Sequence, residues 1–376
     1  MQLTVKKSAI ESAAKILSKV IVTNNPLPIL ADILCEVSDN QMKMTASDSE
    51  IDITATVELE TMEGDGRFCV NADNLIDGLA QLPEQTITII ATTESDNRFT
   101  IRHESGETFF PIESADEYPP IGGEDFKAST KIVANLLRDA LKRSVWATAL
   151  DELRPVINGV CFKTTDVDDL DIVASDGHVL VVNTLINQGF DADITAVVPK
   201  KAAKILADVL PGDKTFIALH FDEHKGQAVL DFCTVTFRLI EGNYPNYASV
   251  IPQDFDKTAV VDRRDMNECM KSVVPFASDS SKLVTMTFTK DKLTMQGDDP
   301  GFDSGANNSI DCDYNFNTMG IGVKGTTILS ILKAMNTQTG NIVVKMKSPD
   351  TAIVFEPEEQ EDEVDVLMLA MPMLTD

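Results

Sequence analysis

The strongest constraint on this chain is that it repeats itself three times. Met44-Thr45-Ala46-Ser47-Asp48 matches Ile172-Val173-Ala174-Ser175-Asp176, and Met295-Gln296-Gly297-Asp298 is a fainter third copy, with the aspartates 128 and 122 residues apart. Other marks keep the register. Val70-Asn71-Ala72, Val198-Pro199-Lys200 and Val323-Lys324-Gly325 stand where helices should start, separated by 128 and 125 residues. Leu82-Pro83-Glu84, Leu210-Pro211-Gly212 and Met335-Asn336 stand where those helices should end. Tyr118-Pro119, Tyr244-Pro245 and Met371-Pro372 close the copies at spacings of 126 and 127. A long fixed period means one supersecondary unit used repeatedly, and it decides the architecture before any motif is read. The 376 residues also exceed what one hydrophobic core usually encloses. The expected domains are 1–123, 127–253 and 254–376, with polar, turn-rich boundaries at Gly122-Gly123-Glu124-Asp125 and Pro252-Gln253-Asp254.

Within each unit the hydrophobic period changes in the same order. Apolar residues at three- and four-residue spacing predict a first helix over 8–20, 129–148 and 263–274. Alternating segments follow, such as 41–59 with Ile51, Ile53, Ala55 and Val57, which predict half-buried strands. A second helix is expected near 71–81, 199–210 and 324–335, before further strands. Each unit is therefore read as α+β, with two helices sharing one face of an antiparallel sheet. The six cysteines (Cys35, Cys69, Cys161, Cys233, Cys269, Cys312) show no CxxC spacing, which fits reduced, buried thiols. No apolar run has the character of a signal peptide or reaches the roughly 18 residues of a membrane span, so a cytoplasmic protein without membrane contact is expected.

The formal charge of −28 would repel polyphosphate if it were spread evenly. It is not. The six windows around the predicted helices (6–20, 71–81, 127–148, 199–210, 262–276 and 323–336) sum to +9, leaving −37 for the rest. On a helix at 100° per residue, Lys131, Arg138 and Lys142 fall within about 40° of one another, opposite Val133, Leu136, Leu137 and Ala140. Lys15 and Lys19 repeat this spacing, as do Lys200 and Lys204 beside Lys201. A single basic face is ordinarily just solvated. Several, at equivalent positions on an acidic chain, point to a surface that meets phosphates without reading bases.

The order of short motifs along the whole chain resembles the bacterial DNA polymerase III beta subunit, the sliding-clamp family. Leu27-Pro28-Ile29-Leu30 looks like the family's LPIL segment, and Arg154-Pro155-Val156-Ile157-Asn158-Gly159-Val160 is similar to its RxxLNG segment. Ser175-Asp176-Gly177-His178 stands for TDGH, Tyr244-Pro245-Asn246-Tyr247 for FPDY, and Met371-Pro372-Met373-Leu374 for the MPM ending. The resemblance implies a non-catalytic processivity factor that encircles duplex DNA. It implies a head-to-tail homodimer, two chains of three units closing a six-domain ring with helices lining the hole. It implies no cofactor or metal, and as partners the replicative polymerase's catalytic subunit, an ATP-driven clamp loader and other replication and repair proteins with clamp-binding motifs.

Carried over by position, the DNA-facing candidates are Lys15, Lys19, Lys131, Arg138, Lys142, Arg154, Lys200, Lys201, Lys204, Arg263, Arg264, Lys282 and Lys333. The first unit departs from the pattern: Asn24 stands where the family has arginine, and the second helix carries Asp73 and Asp77. The groove that takes partner peptides, between the second and third units, maps to Ile157, Ser175, Gly177, His178, Val179, Leu180, Pro245, Val250, Leu369, Met371, Pro372 and Met373. Val179 and Ser249 replace arginines of some relatives. Methionines beside a proline make an adaptable apolar wall. For the dimer contact, which the resemblance places between the first unit and the partner's third, Phe109 and Phe110 against Val274 and Phe276 is the expectation.

Enzyme readings are weaker. His220-Phe221-Asp222-Glu223-His224 has HxxxH spacing, but it follows an alternating strand and precedes Lys225-Gly226, so the histidines would be over about 13 Å apart. His178 in Asp-Gly-His reads as a turn residue, and the acidic 356–365 as a solvated loop. Asp298 to Asp303 lacks the closing glutamate of an EF-hand. The alternative to a clamp is a three-repeat interaction scaffold that never surrounds DNA.

Overall fold

The computed structural model describes residues 1–22, 25–92, 97–119, 126–165, 167–335 and 340–374. Asn24, Asn336 and Gly122-Gly123-Glu124-Asp125 lie outside them. Among the described residues there are six α-helices: α1 (Lys7–Leu17), α2 (Ala72–Ala80), α3 (Ala134–Ser144), α4 (Lys200–Val209), α5 (Arg263–Val273) and α6 (Gly325–Ala334). Each repeat opens with a strand leading into a helix, continues with three strands, then repeats strand, helix and three strands, with one extra short strand, Thr61–Glu63, in repeat one. Side chains fix some of the starts. Asn71 caps α2 by accepting from the Asn74 amide at 3.2 Å, and Asp262 caps α5 by accepting from the Arg264 and Asp265 amides at 2.8 and 2.9 Å.

The helix expected over 129–148 is shorter. Ala128–Val133 is a strand, where β-branched Thr130, Ile132 and Val133 suit a pleated ladder, and α3 starts only at Ala134. Lys131 therefore stands on a strand and does not share a helix face with Arg138 and Lys142. The error came from a basic, amphipathic pattern that runs unbroken through a strand-to-helix corner.

Contacts divide the chain into two compact units, 1–132 with 208–211 and 215–239, and 133–207 with 212–214 and 240–376. The first holds a thirteen-stranded sheet. Its order is Ala128–Val133, Phe216–Phe221, Lys225–Val229, Thr234–Arg238, Ile51–Glu58, Gln41–Ser47, Asp32–Ser38, Gly66–Asn71, Gly106–Glu113, Arg98–His103, Thr86–Thr92, Gln2–Lys6 and Thr61–Glu63. The second holds an eight-stranded sheet, ordered Thr195–Pro199, Gly159–Thr164, Leu170–Ser175, Val179–Leu185, Val364–Ala370, Ile353–Pro357, Asn341–Met346 and Lys257–Asp262. It also holds a four-stranded sheet, ordered Ser304–Asp311, Lys292–Asp299, Leu283–Thr289 and Met319–Lys324.

These orders contain the same two four-stranded antiparallel modules in every repeat. The sheets also cross repeat boundaries. In the first unit Thr234–Arg238, the last strand of repeat two, pairs with Ile51–Glu58 of repeat one, Phe237 facing Ile51. In the second unit Val364–Ala370, the last strand of repeat three, pairs with Val179–Leu185 of repeat two, Ala370 facing Val179. The C-terminal strand is thus interior, held on its other side by Ile353–Pro357. Ser304–Asp311 ends its sheet, and Gly106–Glu113 meets Gly66–Asn71 only at Cys69 and Val70.

Helices cover these sheets with apolar faces. In the first unit Ile10, Ala13, Ala14 and Leu17 of α1 are buried, and α1 packs on Gln41–Ser47, Ile51–Glu58 and α2. Phe99 there sits between Phe68 and Phe110, with ring centroids at 5.7 and 5.1 Å. In the second unit Met266, Cys269, Met270 and Val273 of α5 are buried, and α5 packs on α6 and Ser304–Asp311. No described helix is long and apolar enough to cross a membrane. All six cysteines are free and buried, and burial pushes the Cys161 and Cys233 thiols up to about 12. The native protein should therefore resist a maleimide at neutral pH, whereas all six thiols should react in guanidinium. Rapid labelling of the native fold would contradict this packing.

Candidate groove and basic surfaces

Within the second unit, the hairpin turn Ser175-Asp176-Gly177-His178 is shaped by side chains. Asp176 Oδ1 accepts from the His178 and Val179 amides, each at 2.8 Å, and Ser175 Oγ donates to the Val179 carbonyl at 2.7 Å while accepting from the Gly177 amide at 3.1 Å. Gly177 takes φ +91°, a conformation that favours glycine. Beside this turn the chain leaves Val364–Ala370. The Met371 amide donates to the His178 carbonyl at 2.8 Å, and the Met373 amide to the Gly322 carbonyl at 2.8 Å, so the Met371–Met373 segment is held at both ends.

Of the residues expected to line a groove, Ile157, Val179, Leu180 and Leu369 are buried, with Leu180 facing Leu369 across the ladder. Gly177, His178, Pro245, Val250 and Met371 are exposed, and Ser175, Pro372 and Met373 are half-buried. Val250 is 54% exposed and Met371 44%, two large apolar side chains open to solvent. Leu180 and Leu369 join Cys161, Val173, Val182, Ala352 and Val354 in one cluster, with Tyr244, Tyr247 and Ile251 packed against it. Arg154 belongs here too. Its Nε donates to Asp151 Oδ2 at 2.9 Å, and its guanidinium lies 3.8 Å from where a Cβ on Gly177 would stand.

The first unit builds the same junction from other residues. Asp48 Oδ1 accepts from the Glu50 and Ile51 amides at 3.0 and 2.8 Å, the Ser49 amide donates to Ser47 Oγ at 3.0 Å, and Ser49 takes φ +78° in the place of Gly177. The cavity beside it, about 180 Å³, is lined by Ser47, Glu50, Asp52, Pro119, Lys225, Thr236, Phe237 and Arg238. By strand order Asp52, Thr236 and Arg238 occupy the places of Leu180, Leu369 and Met371. Burial raises the Asp52 carboxyl pKa, opposed by a hydrogen bond from Ser47 and by the Lys225 charge. This junction is polar where the other is apolar.

The basic candidates separate into distinct groups. In the second unit, Arg138 and Lys142 of α3 and Lys333 of α6 line one cavity of about 650 Å³ together with Arg143, which sequence reasoning missed. Arg143 Nε donates to Asn183 Oδ1 at 2.5 Å, and burial lowers its pKa against the opposing charges of Asp139 and Glu361. The missed signal was the adjacency of Lys142 and Arg143 in the last turn, where cations also favour the helix dipole. Lys200, Lys201 and Lys204 lie in the first turns of α4, with Lys200 beside Leu150 and Asp176. Arg264 is exposed at the start of α5, whereas Arg263 turns inward and donates from NH1 to the Leu332 carbonyl at 3.0 Å. Lys282 is half-buried in a loop, donating to the Ala277 carbonyl at 3.4 Å and pairing with Asp279.

In the first unit, Lys15 is exposed and shares Glu11 with Lys7 at 2.7 and 2.6 Å. Lys19 lies 3.6 Å from Asp208. Asp73 and Asp77 are exposed on α2. Counted over the six helices proper, twelve Lys and Arg stand against seven Asp and Glu, a balance of +5 that leaves −33 elsewhere. The split is smaller than the broader windows gave, because part of their charge sits on flanking strands and turns.

Phe109 is 56% exposed with the Arg98 guanidinium 4.5 Å above its ring, and Phe276 is 46% exposed. Phe110 and Val274 are instead core residues, Phe110 stacked on Phe99 and Val274 against Gly325. His220 lies in the strand Phe216–Phe221 and stacks on Phe126 at 5.6 Å, while Asp222 Oδ1 accepts from the His224 and Lys225 amides, so the HxxxH segment is a strand followed by a turn. The acidic 356–365 segment is partly strand, with Glu356 paired to Lys345 at 2.7 Å.

Comparison with known proteins bears on all three repeats. Family models described as the N-terminal, central and C-terminal domains of the DNA polymerase III beta subunit match residues 1–122, 131–246 and 248–373. The chain is similar to a beta sliding clamp of Pseudomonas aeruginosa, 24% identical over 99% of this chain and 100% of that one. It is similar to one of Vibrio cholerae, 23% identical over 98% and 99%. Among solved structures it is similar to a sliding clamp of Pseudomonas aeruginosa bound to griselimycin, with TM-score 0.92, 21% identity and full coverage of both chains. A DNA polymerase III beta subunit of Thermotoga maritima gives TM-score 0.90 and 23% identity, also with full coverage of both chains. The turn geometry makes a prediction of its own. Asp176→Ala strands two amides and should cost about 1–2 kcal/mol, read as a lower urea midpoint.

Proposed function

The chain belongs to the DNA polymerase III beta subunit family, and we infer from that membership that it works as a DNA sliding clamp, a non-catalytic processivity factor that encircles duplex DNA and tethers the replicative polymerase. The observation that carries the reading is the pair of strand edges left unjoined. Repeat one receives the last strand of repeat two, and repeat two receives the last strand of repeat three. By the same rule Ser304–Asp311 of repeat three awaits the last strand of a repeat one, Gly106–Glu113, from a second copy. Such a head-to-tail contact closes a ring when its rotation closes. We propose that Phe109 and Phe276, both exposed, flank this contact, and that the repeats act as three domains over 1–123, 127–253 and 254–376.

DNA would then meet Arg138, Lys142, Arg143 and Lys333, with Lys15, Lys19, Lys131, Lys200, Lys201, Lys204 and Arg264 as further phosphate contacts. Arg154, Arg263 and Lys282 also hydrogen-bond within the chain and stand as additional candidates. Weak, sequence-blind contacts suit sliding, since holding is topological. The groove of Val250, Met371 and the Leu180–Leu369 floor would take short linear motifs from the polymerase and from other replication and repair proteins. Two or three apolar anchors at roughly 1.5–3 kcal/mol each, less ordering costs, give about micromolar affinity, near 8 kcal/mol. The sequence carries no phosphate-binding Gly-rich loop, so ring opening is assigned to an ATP-driven loader in the cytoplasm.

Three measurements test this. After loading, the protein should remain on a nicked DNA circle and leave when the circle is cut; equal loss from both would favour a scaffold that never surrounds DNA. Charge reversal at Arg138, Lys142 and Lys333 together should weaken DNA retention and flatten its salt dependence by about three charges, without changing peptide binding. Met371→Ala with Met373→Ala should weaken a polymerase-derived peptide at least tenfold while mass in solution stays at twice the 41.1 kDa chain. Unchanged peptide affinity would place the partner site elsewhere.

A further inference from the structure

Resting on the groove reading, a second feature of the same unit bears on how the groove wall is held. Val250 belongs to the turn Tyr247–Val250, which is shaped locally: the Ser249 amide donates to the Asn246 carbonyl at 3.3 Å, Ser249 Oγ donates to the same carbonyl at 2.7 Å, and the Ile251 amide donates to the Ala248 carbonyl at 3.4 Å. Local bonds define the turn but do not say where it stands above the sheet. Among the described residues of the turn, Tyr247 is the one whose side chain hydrogen-bonds into the sheet. Its hydroxyl donates to Asp171 Oδ2 at 2.6 Å.

Asp171 is placed for that task. It lies in Leu170–Ser175, one strand from the groove-lining Val179–Leu185, and is 8% exposed. Its other oxygen accepts from Thr184 Oγ1 at 2.6 Å, across the ladder from it. A buried carboxylate is costly unless each oxygen is satisfied, and both donors here are hydroxyls, so removing either leaves an oxygen short of a partner. Hydrogen bonds to an ionised acceptor are short and strong, which fixes the phenol's position. The Tyr247 ring meanwhile packs on the cluster that contains Leu180 and Leu369, with the Lys163 ammonium 5.6 Å from its centroid.

We propose that Asp171 is a positioning residue for partner binding: through Tyr247 it sets the height of the turn that carries Val250, and so the width of the peptide groove, without touching the peptide. Asp171 is buried, so its effect on a ligand must pass through Tyr247 and the turn. Burial and the neighbouring Asp171 both push the Tyr247 phenol pKa up, which keeps it a donor throughout the working pH range.

The test is a double-mutant cycle on the full-length protein, using a fluorescein-labelled peptide that carries a polymerase clamp-binding motif. Tyr247→Phe keeps the ring and deletes the donor; Asp171→Ala deletes the acceptor. Each should weaken the peptide about three- to tenfold, and the double variant should be no worse than the poorer single, because both delete the same bond. Melting temperature is followed in parallel. A purely structural role would couple the two residues in stability and leave peptide affinity within twofold of the wild type, which overturns the proposal. Additive losses in affinity would overturn it as well. A wild-type protein that binds no peptide would instead sink the groove reading itself, so the two failures are distinguishable.

Discussion

The structure depends on main-chain pairing between repeats. A four-stranded module with an open edge is a liability, because unpaired amides and carbonyls invite any other strand. Here repeats one and two resolve that liability with the repeat that follows: Thr234–Arg238 completes a ladder begun in repeat one, and Val364–Ala370 completes one begun in repeat two. The bonds are backbone to backbone, so they constrain register far more than side-chain identity. This is why relatives only 23–24% identical can share the architecture at TM-scores near 0.9 with solved clamps. It is also why compactness divides the chain into two units that cut repeat two, while the sequence period divides it into three.

Charge is organised at a coarser level. The six helices carry +5 and the remainder −33, yet many individual cations already have partners. Glu11 is shared between Lys7 and Lys15, Arg138 Nε donates to Asp139 at 2.9 Å, and Arg263 caps a carbonyl of α6. Where the cation is exposed, as at Lys15, such a pair is worth little in stability and the cation remains able to exchange partners. A surface of partly committed cations holds polyphosphate loosely. An acidic remainder gives a polyanion no second place to settle.

Much of this was legible in the sequence, for identifiable reasons. The Asp48 and Asp176 segments matched in sequence because an Asx turn needs its aspartate at one position, and the structure gives both the same pair of amide bonds. All six helices lie near their predicted places because capping and apolar spacing are local. What could not be read was anything set by the partner of a strand. Lys131 looked helical because its pattern continues smoothly into α3, and only the ladder with Phe216–Phe221 makes its segment a strand. Phe109 and Phe110 are indistinguishable in sequence, yet pleating sends one outward and the other onto Phe99. The Asp171–Tyr247 bond joins residues 76 apart and carries no local signature. Arg143 beside Lys142 read as one more surface charge until Asn183 supplied its partner.

The two internal junctions are alike in backbone and unlike in chemistry. One presents Leu180, Leu369 and Met371; at the matching positions the other presents Asp52, Thr236 and Arg238. The valence of the chain follows from that substitution of a salt-bearing lining for a greasy one. Of the two described junctions, one is lined for an apolar motif, so on the proposed reading partners would take turns at it. Occupancy of that one junction would then matter as much as the tightness of any one bond.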